Sequence, residues 1–277
     1  MHIHAYSDAD FAAIPEVVDY WGNPGISSAE AHRIATFEAF NNFNVVKAVV
    51  SGPPESVENW ASKENNHKII RGILLYTPDD HGMDTITFER LVNEKKIEIF
   101  GELAPYYAGK TLNASEWQPY LRICQKYDVP VAVHTGGGDP GGTYSWAPKA
   151  RLTVGDPYLI EDVLVKYPKL RIYLMHSGEE WYEHALRLMA YYPQVYSDLG
   201  ALLWVERLDQ RYAAEFLKAA KHAGYLHKVM FGSDQMRWPY AIGKSIKFLN
   251  SLEFLTKQDK DDILYNNAAN FLRLSIP

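Results

Sequence analysis

The chain has 277 residues, 47% hydrophobic and 22% charged, with a formal net charge of −6. That length suits one α/β barrel of roughly 250 residues, and the acidic balance argues against nucleic acid, whose phosphates want clustered Lys and Arg. No apolar run approaches the roughly 18 residues that span a bilayer, and the single cysteine, Cys124, excludes an intrachain disulfide framework and fits a reducing compartment.

Met1-His2-Ile3-His4 opens the chain. Side chains alternate faces along a strand, so His2 and His4 project together, and paired imidazoles suit zinc and its transition-metal neighbours. Taken alone, the pair fits a solvated terminus equally well. No basic-then-apolar leader is present, which predicts a cytoplasmic protein. A strand presenting ligands by residue 2 is short enough to suggest upstream residues, with a periplasmic or secreted location if those include a leader.

Ser27-Ser28-Ala29-Glu30 reads as a capping box for a helix over 28–42. Residues 45–50 read as strand two, 69–75 as strand three, and 98–103, which contains Gly101-Glu102, as strand four. Ser115-Glu116-Trp117-Gln118 is a second capping box, for a helix over 115–127. Strand five ends at His134. The glycine-rich stretch after it, residues 136–146, lacks the Gly-Lys-Ser/Thr of a phosphate cradle and reads as a mobile lid. Asp156-Pro157 opens another helix. Strand six ends at His176, strand seven covers 195–199, and strand eight ends at Asp234. Helical patterns fill 182–192, 207–223, 240–249 and 258–272.

Alternating strands and helices predict a parallel sheet, and eight of each predict one (β/α)8 TIM barrel domain over residues 1–277. An open doubly wound sheet is the runner-up, disfavoured because no Gly-x-Gly-x-x-Gly follows strand one. In a barrel the active site lies at the carboxyl ends of the strands. His2, His4, Glu102, His134, His176 and Asp234 all sit at such ends. Asp198, near the end of strand seven, reads as support for a ligand histidine or as a loop cap. His32, His67, His81, His184, His222 and His227 read as surface or capping residues.

This combination resembles the amidohydrolase superfamily, in particular the amidohydrolase 2 branch of metal-dependent hydrolases, which includes aminocarboxymuconate-semialdehyde decarboxylase and several lactonases. The likeness runs from His2-Ile3-His4 through Gly232-Ser233-Asp234 to the closing Asn266-Asn267-Ala268-Ala269-Asn270-Phe271-Leu272. It implies that His2 and His4 bind a divalent metal, zinc first, with manganese or another transition metal as alternatives. It further implies that His134 is a ligand, that Asp234 is both ligand and proton acceptor, and that His176 is a ligand or a catalytic acid acting on the substrate. Strand four departs from many relatives in offering no lysine for a carbamate bridge. Glu102 there either bridges two ions, binds one, or hydrogen-bonds a ligand histidine.

A bound ion lowers the pKa of its water toward ~7, and a neighbouring carboxylate can accept the proton. Lactone, ester or amide hydrolysis is therefore the leading expectation. Non-oxidative decarboxylation of an aromatic or unsaturated acid is the alternative, and a non-catalytic metal- or ligand-binding barrel the third. The strand-following loops carry Tyr106, Trp146, Trp181, Trp204 and Arg237, an aromatic mouth suited to a ring-bearing small-molecule substrate. Arg237 there is either a carboxylate anchor or a surface ion-pair partner. No nucleic acid or membrane span is expected as a partner, and a homodimer is the expected assembly.

Overall fold

Eight short strands form in the expected order: β1 (His2–His4), β2 (Ala48–Ser51), β3 (Ile69–Arg71), β4 (Phe100–Leu103), β5 (Val131–His134), β6 (Ile172–Met175), β7 (Val195–Asp198) and β8 (Val229–Met230). They belong to a computed structural model that describes residues 1–63 and 66–274. All pair in parallel, β1 to β3 in one run and β4 to β8 in another. Two seams join the runs into a ring. At one, Ile73 N donates to Gly101 O and Leu75 N to Glu102 O, both at 2.9 Å; at the other, Asp234 N donates to His2 O at 3.0 Å. The chain is a (β/α)8 barrel. Among the described residues no helix is long and apolar enough to cross a membrane.

Strand alternation sorts the apolar residues into layers. Val131, Val133, Ile172 and Leu174 face outward into the large core beneath the helices, while Val49, Ile70, Ala132, Tyr173 and Met230 fill the barrel. Ile3 packs outward against Phe37, Phe40 and Trp60, which leaves its neighbours His2 and His4 facing in.

Strand β4 breaks this alternation. Phe100 pairs with Val131 and Leu103 with Val133, so β4 advances three residues where β5 advances two. The extra residue is a β-bulge. Regular pleating would place Glu102 on the same face as Phe100, which is fully buried against Phe88, Trp117 and Tyr120. The bulge turns Glu102 inward and returns Leu103 to the outer core. Gly101 makes it feasible: at φ +151, a Cβ there would lie 2.4 Å from Ala132 O. Gly101→Ala is therefore expected to destabilise the barrel by about 3 kcal/mol, the upper end of overpacking effects. Urea unfolding measures this, and an unchanged midpoint would refute the steric account.

The helices over 28–42, 182–192 and 207–223 form as Ala29–Asn42, Tyr182–Tyr191 and Arg207–His222. Both expected capping boxes differ in detail. Ser28, not Ser27, caps its helix by accepting from Ala31 N, and Glu30 pairs with Arg33. Residues Ser115–Trp117 form a 3-10 turn, and the helix Gln118–Tyr127 starts without a side-chain cap. Asp156 does cap, accepting from Tyr158 N, but ahead of a 3-10 turn that precedes the helix Glu161–Lys166. Helices Asp8–Ala13, Pro54–Ser62 and Thr85–Asn93 lie where the sequence reading placed none.

Candidate active site

Six buried side chains meet at the carboxyl end of the barrel. His2, His4, Glu102 and Asp234 form one group and Glu102, His134 and His176 another, each with potential ligand atoms within 4.8 Å of one another. Glu102 belongs to both. Its Oε2 lies 3.2 Å from His4 Nε2 and 3.8 Å from His2 Nε2, while Oε1 lies 2.8 Å from His134 Nδ1 and 3.6 Å from His176 Nε2. Asp234 Oδ1 lies 2.9 Å from His4 Nε2.

Backbone geometry aims these groups. His176 and Asp234 stand just past their strands with φ +61 and +47, a region that non-glycine residues occupy only when their surroundings hold them there. Asp198 supplies part of that hold: its Oδ1 accepts from His176 N and Gly200 N, both at 3.0 Å. It thus fixes the main chain beneath His176, not a histidine ring.

The donor set fits a divalent cation. His134 Nε2 is 2.6 Å from Gly137 O and His176 Nδ1 is 3.0 Å from Gly200 O. A carbonyl accepts only, so each of those nitrogens carries the proton, assigned from its partner. That leaves the lone pairs of His134 Nδ1 and His176 Nε2 aimed at Glu102 Oε1 and at each other, 3.1 Å apart. Lone pairs converging in a buried place need a proton or a cation between them. Asp234 Oδ1 is likewise buried without a hydrogen bond despite its approach to His4. Imidazole and carboxylate ligands suit zinc, manganese and their neighbours.

The electrostatics agree. Burial disfavours a charged His4, but the neighbouring carboxylates, Asp234 first and then Glu102, outweigh it and raise the imidazole to about 10. Burial also works against a charged His176, which hydrogen bonding with Glu102 and the Asp234 charge raise to about 10. His2 goes the other way: burial and the neighbouring His4 lower it to about 3. Burial would push the Glu102 carboxyl up, yet the imidazoles of His134, His176 and His4 around it hold it well below the usual carboxylate range. Burial lifts the Asp198 carboxyl to about 6. Protons thus occupy the place that a metal would take, and metal binding must release them.

A cavity of about 880 Å³ opens above this floor. Of the residues expected at the mouth, Trp146, Trp204 and Arg237 line it, and Tyr106 and Trp181 do not. Tyr106 is buried behind the wall with its ring 5.4 Å from that of His134, and Trp181 packs against His184. Tyr107 takes the place expected of Tyr106, 4.5 Å from the Trp146 ring and 5.2 Å from His134. Arg237 is buried, stacked 4.4 Å from the Phe11 ring, and donates to Asp10 O and Ile14 O. Two of its five N–H donors hold the 10–14 main chain, so it is a buried part of the cavity wall and not a surface ion-pair partner.

Three residues escaped the sequence reading. Ser51 Oγ donates to Gly101 O, accepts from Glu102 N and lies 3.1 Å from His2 Nε2, tying the bulge to the first ligand. Gln235 accepts from His4 N and donates to His4 O, an amide standing in for a strand partner. His32, expected at the surface, is fully buried beside Tyr6, Phe11 and Trp60, with Nε2 3.2 Å from Gln235 Nε2. Burial lowers it to about 3, so it stays neutral and accepts from Gln235. Adjacency to Asp234 in the sequence was the signal available for Gln235.

Comparison with known proteins agrees with this architecture. A family model described as Amidohydrolase matches residues 1–274. A probable 2-pyrone-4,6-dicarboxylic acid hydrolase from Acinetobacter baumannii, crystallised with citric acid, superposes with a TM-score of 0.70 at 18% identity, covering 99% of this chain and 98% of its own. A dihydroxybenzoic acid decarboxylase from Polaromonas sp. JS666, with bound manganese and 2-nitroresorcinol, gives 0.60 at 15% identity, covering 87% and 86%. A 2,6-dihydroxybenzoate decarboxylase from Rhizobium gives 0.60 at 13%, covering 99% and 98%. At these identities the structural likeness speaks for the fold. No curated protein matches the chain.

Proposed function

Since the chain belongs to the amidohydrolase family, we propose that this enzyme is a metal-dependent hydrolase that opens a lactone, ester or amide with a water molecule delivered at the barrel mouth. The observation that carries the reading is the buried convergence of His2, His4, Glu102 and Asp234, with His134 and His176 beside it, beneath an aromatic cavity. These six residues would hold the ion or ions, zinc first, and Glu102 offers an oxygen to each half. When bound, such an ion supplies Lewis acidity and lowers the pKa of water.

The chain's own groups do the rest. An Asp234 carboxylate oxygen takes the proton of the attacking water as its oxygen bonds to the carbonyl carbon. The same carboxyl then returns that proton to the departing oxygen or nitrogen as the acyl bond breaks. Where His176 does not hold the ion, its protonated ring, fixed by Asp198 and Gly200, would serve instead as hydrogen-bonding acid toward the carbonyl. Non-oxidative decarboxylation is the second reading, supported by His176, which could deliver the proton that replaces carbon dioxide. A free, buried Cys124 supports a cytoplasmic location.

A panel of lactones, esters, amides and aromatic carboxylates, scored for acid release against carbon dioxide release, tests the reading. Acid release is expected, lost on chelation and restored by Zn²⁺ or Mn²⁺. Carbon dioxide release instead would establish the second reading, and activity indifferent to metal removal would overturn both.

A further inference from the structure

Charge is distributed unevenly in the cavity above the metal-competent floor. Four carboxylates line it there, Asp10, Asp19, Asp80 and Asp139, against one residue of fixed positive charge, Arg237. That guanidinium donates to the carbonyls of Asp10 and Ile14 and stacks on Phe11. Among the described residues lining the cavity, no Lys or other Arg is present. The remaining wall is mainly apolar, part aliphatic (Ile14, Val17, Val18, Leu74) and part aromatic. Tyr76, Tyr107 and Trp146 form one cluster, with centroid spacings of 4.5–6.2 Å, and Trp204 and Trp238 another, 5.9 Å apart. Trp146 is 45% exposed and Tyr76 38%, large apolar surfaces left open to a ligand.

We propose, building on the hydrolase reading, that the substrate is an uncharged ring-bearing lactone or ester, and that the site discriminates against di- and tricarboxylates. The geometry supplies the reasons. A neutral aromatic or pyrone ring fits against the Tyr107–Trp146 face by offset or edge stacking, with its carbonyl toward the floor. A monoanion can meet its one charge at the metal-competent floor. A second carboxylate on the same ring must sit among Asp10, Asp80 and Asp139, with no Lys and no Arg besides Arg237 in the described lining to meet it, and like charges brought together in the cavity repel. This chain would thus part from the preference that the name of its Acinetobacter structural neighbour implies.

A matched pair of ligands tests the proposal on the metal-loaded enzyme: 4,6-dimethyl-2-pyrone and 2-pyrone-4,6-dicarboxylate share ring and substitution pattern and differ in charge. Calorimetry is expected to show the dimethyl compound binding at least tenfold tighter. The gap should narrow as salt is raised, because salt screens the repulsion. Trp146→Ala, at an exposed position, should weaken the neutral ring about three- to tenfold, as expected for a lost aromatic pair. Asp139→Arg should improve binding of the dicarboxylate. Equal or tighter binding of the dicarboxylate by the wild type, or no binding of the neutral ring, overturns the inference. Ring opening is followed separately. A neutral pyrone bound but never opened would count against hydrolysis and leave the discrimination against polycarboxylates standing. A dicarboxylate bound tighter and opened would do the reverse.

Discussion

Asp234→Asn is expected to lower kcat about 10³–10⁴-fold, the upper end of what a general base contributes, while the protein keeps much of its metal. The substitution preserves size and one ligand oxygen but removes the group that accepts the proton of water. Asp234 is suited to that task by position. Its Oδ1 is buried 2.9 Å from His4 Nε2 without a hydrogen bond, and Oδ2 faces His176 Nδ1 at 3.9 Å. The fold should survive, because the link from residue 234 to β1 is made by its backbone N–H to His2 O. Kinetics on the best substrate of the panel and metal content by elemental analysis give the two readouts together. A variant retaining most of its activity would make Asp234 structural and remove the proposed base.

His4→Ala is expected to abolish activity by a different route, with metal and turnover lost in parallel. His4 stands between the carboxylates of Glu102 and Asp234, so its removal leaves two buried negative charges facing one another. That costs several kcal/mol unless one is protonated. Metal affinity of the wild type should rise with pH. The imidazole, held at about 10 by its carboxylate partners against the effect of burial, must shed its proton before it can serve as a ligand, so at neutral pH ion and proton compete. Each competing proton makes apparent affinity change about tenfold per pH unit. Metal titration of both proteins between pH 6 and 8 checks this; full occupancy and normal turnover in His4→Ala would defeat the model.

Much of this site was legible because strand periodicity is a local signal. His2, His4 and His134 face inward for the same reason that Ile3 and Val133 face outward, and the turn residues after β6 and β8 marked His176 and Asp234. Glu102 was legible as a carboxylate at a strand end but not as an inward one. Its direction depends on a register shift against β5, a pairing between segments thirty residues apart that composition does not encode. Arg237 shows the opposite limit. An arginine near an aromatic mouth looks like a ligand anchor alone, yet a main-chain segment more than two hundred residues earlier in sequence takes two of its five N–H donors. Tyr106 and Tyr107 were indistinguishable as a pair, and the 3-10 turn over Pro105–Ala108 decides which ring reaches the cavity. Buried His32 was misread because the helix that carries it has no sharp apolar stripe; Arg33, Thr36 and Phe37 are buried beside it.

The seam between the first and last strands has a thermodynamic consequence. Asp234 N bonds His2 O, and the Gln235 carboxamide brackets His4, so the residues that close the ring are the ones that complete the donor set. A chain whose final segment has not yet docked owns half a site. Ligation and ring closure are then one linked equilibrium, in which every increment of free metal above its dissociation constant is returned as resistance of the terminal strand to opening. Hydrogen exchange at Asp234 N would report on metal concentration as directly as any activity assay.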